Sequence, residues 1–104
     1  MNKIIGFADN DTKKIFNQEY VKGISKSVQE LCLRKLIMLN ASGSIQDLRV
    51  PPGNRLEKLS GDKEGVWSIR INDQYRITFV VDNGFYDKVK LEDYHKWGCY
   101  EKDD

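Results

Sequence analysis

Pro51-Pro52-Gly53 separates two stretches with different hydrophobic periods, and that division constrains the fold more than any other feature of the chain. Neither proline can continue a helix, because each lacks an amide donor and its ring clashes with the preceding turn, while the glycine permits a sharp change of direction. Upstream, Val28, Leu31, Cys32, Leu36 and Leu39 recur at helical spacing, which leaves Lys26, Arg34 and Lys35 on the wet side of that helix. Downstream the period falls to two: Trp67, Ile69 and Ile71 alternate with Ser68 and Arg70, and Tyr75, Ile77, Phe79 and Val81 alternate with Arg76, Thr78 and Val80. A helical stretch followed by a β stretch in 104 residues predicts a single α+β domain, since two separate cores would each bury too little apolar surface.

The remaining elements follow from local chemistry. Lys3 to Phe7 is short, apolar and β-branched, so it is expected to form a first strand. Asn10-Asp11-Thr12 offers N-cap oxygens for a short helix through Ile15 and Phe16, with Gly23 as its far boundary. Ser27 and Glu30 have the spacing of a capping box at the start of the longer helix. If Asn72-Asp73-Gln74 is a three-residue loop, Ile71 faces Tyr75, Ile69 faces Ile77 and Trp67 faces Phe79, which gathers the large apolar side chains on one face. Asp82-Asn83-Gly84 supplies a second turn, and Phe85 to Tyr94 a last strand whose Val89 and Leu91 join the core. The expected architecture is an N-terminal strand, two helices and an antiparallel meander with the helices on one face. Residues 1–95 make up the expected domain and 96–104 a short C-terminal extension, in which Trp97 and Tyr100 pack on the core or meet a partner and Glu101-Lys102-Asp103-Asp104 frays as a polar tail.

Several function classes are disfavoured by composition. No apolar run approaches the roughly 20 residues that cross a bilayer, and the opening residues are too short for a signal peptide's apolar region, so a cytoplasmic location is expected. Cys32 and Cys99 have neither zinc-site spacing nor the density of a disulfide scaffold; both are expected to be reduced, and Cys32, on the apolar stripe, to be a buried structural thiol. The formal net charge of +1 argues against nucleic-acid binding by bulk electrostatics, so any RNA surface must come from local placement.

Local placement is what the hairpin offers. The register that pairs the apolar residues also sets Arg70 opposite Arg76, beside Ser68 and Thr78, and like charges facing each other across a strand pair call for an anion. Arg76, with its permanently charged planar fork, suits phosphate oxygens; alternatively it is a solvated strand arginine. His95 is the only histidine, and an imidazole's ordinary pKa of about 6.5 suits proton transfer, although a single surface histidine is usually idle. Tyr94 stacks on a base or donates to phosphate, or else it packs at the strand end.

Three motifs then carry a resemblance. The run from Asn54-Arg55-Leu56-Glu57 through Lys58-Leu59-Ser60-Gly61-Asp62 to Trp67-Ser68-Ile69 resembles the HigB toxins of the RelE/ParE superfamily, as do Tyr75-Arg76-Ile77-Thr78-Phe79 and the closing Glu92-Asp93-Tyr94-His95. The resemblance covers residues 1–95 and implies a toxin of a type II toxin-antitoxin system. It implies a ribosome-dependent endoribonuclease that cuts mRNA by attack of a ribose 2′-hydroxyl on the adjacent phosphate, with no metal or other cofactor. Arg76, His95, Tyr94, Asp93 and Glu57 are the catalytic candidates on this basis, and Arg70, Arg55, Lys58 and Lys63 the RNA-binding ones. It also implies a helix-turn-helix, HigA-like antitoxin, contact with operator DNA only through that complex, and no membrane partner. Many HigB relatives carry His where Glu57 stands and Lys where Ser60 stands; a branch with Asn-Arg-Leu-Glu is similar to this chain. Glu57 is therefore either a replacement base or a surface carboxylate, and slow cleavage is expected. A ParE-like gyrase inhibitor, or a catalytically weakened RNA- or ribosome-binding module, is the rival reading on the same scaffold. Under the nuclease reading, Arg76→Ala is expected to relieve toxicity without unfolding the domain.

Overall fold

The computed structural model describes residues 2–60 and 65–94, together with the backbone of 102–103. Two helices, α1 (Asn10–Phe16) and α2 (Lys26–Ala41), precede short 3-10 turns at Ile45–Arg49 and Pro52–Asn54. The strands β1 (Glu57–Leu59), β2 (Trp67–Arg70), β3 (Tyr75–Asp82), β4 (Phe85–Asp93) and β5 (Lys102–Asp103) follow. This is the expected α+β architecture. The sheet order is β4-β3-β2-β1-β5, an antiparallel meander with β5 added at its far edge. The pairings Lys58↔Asp103 and Leu59↔Lys102 give the expected frayed tail a strand to pair with, which satisfies backbone groups on the outer edge of β1. Among the described residues no helix is long and apolar enough to cross a membrane.

The β2–β3 hairpin has the expected register, Trp67↔Phe79, Ser68↔Thr78, Ile69↔Ile77 and Arg70↔Arg76. Its loop is held by the Asn72 carboxamide oxygen, which accepts from the amides of Gln74 and Tyr75, both at 2.8 Å. Asn83 and Gly84, both at positive φ, form the turn between β3 and β4. Such a turn matches the twist of the flanking strands and favours Asn-Gly.

Two expectations shift. Lys3 to Phe7 does not form a continuous strand; it makes isolated parallel bridges to β4, Ile4↔Tyr86 and Phe7↔Val89. The cause is a bulge in β4: Thr78 pairs with Lys90 but Val80 with Asp87, so β4 carries one extra residue there, with Lys88 at φ 53°. The N-terminal segment follows the kink, and Gly6 passes so close to Asp87 that a Cβ would lie 2.3 Å from Oδ1. The helix caps also move. Asp9, not the Asn10-Asp11-Thr12 run, caps α1 by accepting from the Thr12 amide at 2.9 Å. Ser25 caps α2 through the Val28 amide, so Ser27 lies inside the helix and the Ser27–Glu30 box does not form. The buried Gln29 explains the earlier start, since its side chain bonds the Val21 amide, the Val21 carbonyl and the Ile24 carbonyl and draws the preceding loop onto the helix.

Between the helices and the sheet lies one core. Ile15, Val28, Cys32, Leu36 and Leu39 meet Ile69, Ile77, Phe79, Val89 and Leu91. Phe79 and Tyr86 pack edge to face with centroids 5.0 Å apart, and the Tyr86 hydroxyl reaches the Ser42 hydroxyl at 2.8 Å. Thr12 ties α1 to the sheet, its hydroxyl accepting from the Leu91 amide at 2.9 Å.

Candidate active site on the polar face of the sheet

Alternation along the strands sends the polar residues to the face away from the helices. The register arranges them in two rows across the sheet, Arg70–Arg76–Glu92 and Glu57–Ser68–Thr78–Lys90. This face is not solvated at its centre: Ser68, Arg76 and Thr78 are 0%, 3% and 3% exposed. Arg76 is thus no solvated strand arginine, and its burial is met by bonds. Nε–H donates to the Ser68 hydroxyl at 2.8 Å, Nη2 donates to the Arg55 carbonyl at 2.6 Å, and Nη2 lies 3.7 Å from a Glu57 carboxylate oxygen. The Tyr94 ring centroid is 6.0 Å from the guanidinium carbon. These partners add a stability cost to the expected relief of toxicity by Arg76→Ala, because removing one member of a buried charged cluster leaves the others uncompensated.

The anion that two facing arginines call for is at least partly the protein's own. Arg70 pairs with Asp73 at 2.5 Å on the surface, Arg76 is beside Glu57, and Glu92 stands across from Arg76 on β4. Glu92 in turn accepts from the Thr78 hydroxyl at 2.6 Å. A carboxylate beside a guanidinium on a water-poor face offers a cation to hold phosphate and a base to take a proton, two of the three groups that phosphoryl chemistry at a ribose uses, the third being an acid for the departing oxygen.

The structure brings some of the candidates together and separates others. Arg76, Glu57 and Tyr94 converge, with Arg70 next along the row. Arg55 contributes its backbone carbonyl, turned inward by a left-handed conformation (φ 44°, ψ 56°), while the residue itself is exposed. Lys58 pairs with Trp67 and reaches over that ring at 5.8 Å, so it belongs to the opposite face. Asp93 pairs with Tyr75 and accepts from the Gln74 carboxamide at 3.0 Å. His95 and Lys63 lie outside the described residues, as do Trp97, Cys99 and Tyr100. Cys32 is fully buried, and its thiol is pushed up to about 12 by burial and then by the charge of Asp9, consistent with a structural thiol and not a nucleophile.

Sequence reasoning gave Glu92 and Asn54 no role beyond their motifs and set Lys35 on the wet side of its helix, whereas Lys35 is half-buried and reaches the buried Asn54. Counting outward from the Asp82↔Phe85 pair would set Leu91 opposite Arg76, and only the extra residue at Lys88 brings Glu92 there instead. Asn54 and Lys35 bond each other across 19 positions, and no local pattern announces such a contact.

Residues 5–95 match the family described as RelE-like toxin of type II toxin-antitoxin system HigB. The chain belongs to this HigB-like toxin family. Among individual relatives, the chain is similar to Toxin HigB-1 of Vibrio cholerae serotype O1, with 46% identity over 61 residues, covering 59% of this chain and 64% of that protein. It is similar to an uncharacterized protein of Haemophilus influenzae, 38% identical over 69 residues, or 66% of this chain and 68% of the other. It also resembles Endoribonuclease HigB of Proteus vulgaris, 46% identical over 41 residues, or 39% and 45% of the two chains. The matched stretch thus spans a little under two thirds of the Vibrio toxin and less than half of the Proteus nuclease. The HigB-like match extends over β1 to β4, the strands that carry Glu57, Ser68, Arg76 and Glu92.

Proposed function

We propose that this HigB-like toxin is a ribosome-dependent endoribonuclease that cleaves mRNA. The observation that carries the proposal is the ion pair of the buried Arg76 with the half-buried Glu57, 3.7 Å apart, inside the segment that matches the HigB family. The naming of the Proteus relative as an endoribonuclease supports it. In the proposed reaction the scissile phosphate takes up the guanidinium charge that Glu57 meets in the free protein. The Glu57 carboxylate then takes the proton from a ribose 2′-hydroxyl. The 2′-oxygen attacks phosphorus, a 2′,3′-cyclic phosphate forms, and the bond to the 5′-oxygen breaks. That oxygen leaves with a proton from a general acid, the role assigned to His95. Arg76 stabilises the charge that builds on the phosphorane, Tyr94 stacks beside it, and Asp93 orients the strand end. Arg70, Arg55 and Lys63 are assigned to the RNA chain, whereas Lys58, turned to Trp67 on the opposite face, is withdrawn from that role. Partners under this reading are the ribosome, mRNA and a helix-turn-helix antitoxin that brings the complex to operator DNA, all in the cytoplasm.

The burial of Arg76 favours a second reading, a toxin on the same scaffold that binds its target without cutting RNA. Primer extension on cellular messages after brief induction separates the two. Wild-type protein is expected to produce new in-frame 5′ ends that vanish in Arg76→Lys and His95→Ala variants shown to be folded by circular dichroism. Growth arrest without new ends would point to the binding-only reading, and unchanged ends in a folded Arg76→Lys variant would remove Arg76 from the mechanism.

A further inference from the structure

Beside the polar face, the loop after the two prolines holds a buried amide that the proposed reaction does not use. Asn54 is 0% exposed, and its Nδ2 donates to the Leu48 carbonyl at 3.0 Å and contacts the Met38 thioether at 3.2 Å. Its Oδ1 accepts from the Lys35 ammonium at 2.5 Å. Lys35 belongs to α2, which packs on the apolar face of the sheet, and burial lowers its pKa. An ammonium with three donors and no acceptor can face only the oxygen of a carboxamide, so it fixes which end of the Asn54 amide points at Leu48. Asn54 closes the 3-10 turn Pro52–Asn54, and the next residue, Arg55, is the left-handed one whose carbonyl receives Arg76. Lys35 Nζ, the Asn54 amide, the Arg55 carbonyl and the Arg76 guanidinium therefore form one series of charge-assisted bonds and a single peptide link.

We propose that Lys35 and Asn54 are positioning residues for Arg76: they set the Arg55 carbonyl, and through it the guanidinium, without touching RNA. The catalytic part of this claim rests on the role given to Arg76 above, whereas the structural part does not. Without that carbonyl, Nη2 would turn to water or close further on Glu57, which it already faces at 3.7 Å, and either would rotate the fork; displacements of that size at a phosphate-binding group reduce turnover.

Single-turnover cleavage of an mRNA held on ribosomes is expected to slow about 10-fold in Lys35→Met, with the toxin concentration for half-maximal rate unchanged, and to recover in Lys35→Arg. The Arg76 Nε–H resonance in a 1H–15N spectrum is expected to move in Lys35→Met, to return in Lys35→Arg, and to stay in place in Arg34→Met, an exposed control on the same helix. A merely structural lysine would lower the unfolding midpoint without moving that resonance. An unmoved Nε–H in folded Lys35→Met, or in Lys35→Gln should the Met variant not fold, overturns the proposal. So does a wild-type cleavage rate in either variant. If wild-type toxin cuts no mRNA, the nuclease reading fails, and the resonance alone still decides whether Lys35 sets Arg76.

Discussion

On the helix side of the β2–β3 hairpin, Ile69, Ile77 and Phe79 are shielded by apolar side chains from both helices; on the other side, Ser68, Arg76 and Thr78 are shielded almost as completely. The first face is held by contacts that have no direction, so its stability scales with the area and volume it encloses. The buried side chains at the centre of the second face are instead held by particular partners: Ser68 and the Arg55 carbonyl for Arg76, Glu92 for Thr78. Equal burial therefore does not mean equal tolerance. The apolar face should accept changes of shape that preserve volume, whereas the polar face should reject the loss of a single oxygen.

The comparison is broken most severely at Arg76. Replacement by Ala is expected to cost about 3–5 kcal/mol, a large share of the roughly 5–15 kcal/mol that holds a domain of this kind, and to abolish cleavage. Urea denaturation measures it, and a loss under about 1 kcal/mol would mean that the buried cluster contributes little. A charge placed on the opposite face tests the other half. Because burial raises the Cys32 thiol to about 12, the unfolded chain ionises first. Stability is then fully present below the ordinary thiol value of about 8.5 and is lost as pH rises from there towards 12. Alkaline unfolding followed by circular dichroism should be milder in Cys32→Ala, relative to that variant's own stability at pH 7; identical pH profiles would contradict this.

A finer test pairs two small changes. Ser68→Ala removes one hydroxyl from the Arg76 Nε–H and is expected to cost about 1–3 kcal/mol. Ile77→Leu rearranges a whole side chain in the core and is expected to cost less than about 1.5 kcal/mol. Finding Ile77→Leu clearly the costlier of the two would reverse the proposed difference between the faces. The smallest effect is expected at the rim, where Arg70 pairs with the exposed Asp73: Arg70→Ala should change stability by no more than about 0.5 kcal/mol. A larger shift in the thermal midpoint would extend the polar cluster to the hairpin tip.

How much of this was legible in the sequence depended on how local the determining contact is. The hairpin register followed from the Asn72-Asp73-Gln74 loop and strand parity, so the grouping of Arg70, Arg76, Ser68 and Thr78 was available before any coordinates. The helix caps missed by one or two positions because several oxygens compete near each start, and for α2 the choice accords with Gln29 binding the loop that precedes the helix. The break-up of the expected N-terminal strand and the placement of Glu92 opposite Arg76 were hidden by the same cause, the extra residue at Lys88, which changes strand parity without a proline or glycine to mark it. Nor does the local sequence say that Lys58, adjacent to Glu57, turns to Trp67, because the register of β1 is set by its pairing with β2. The partial neutralisation of two facing arginines by Asp73 and Glu57 was equally out of reach, although the need for an anion was visible in the strand pairing.

Arg55 gives Arg76 a ligand that no side-chain substitution can delete, since the group involved is a carbonyl. Selection at this position would act on a dihedral angle more than on chemistry: residues that enter the left-handed region easily, such as Gly and Asn, should keep the carbonyl in place, and β-branched residues should not. Mutational scanning for stability would then find Arg55 permissive to the loss of its charge and intolerant of Val or Ile, a profile that resembles a turn more than an active site.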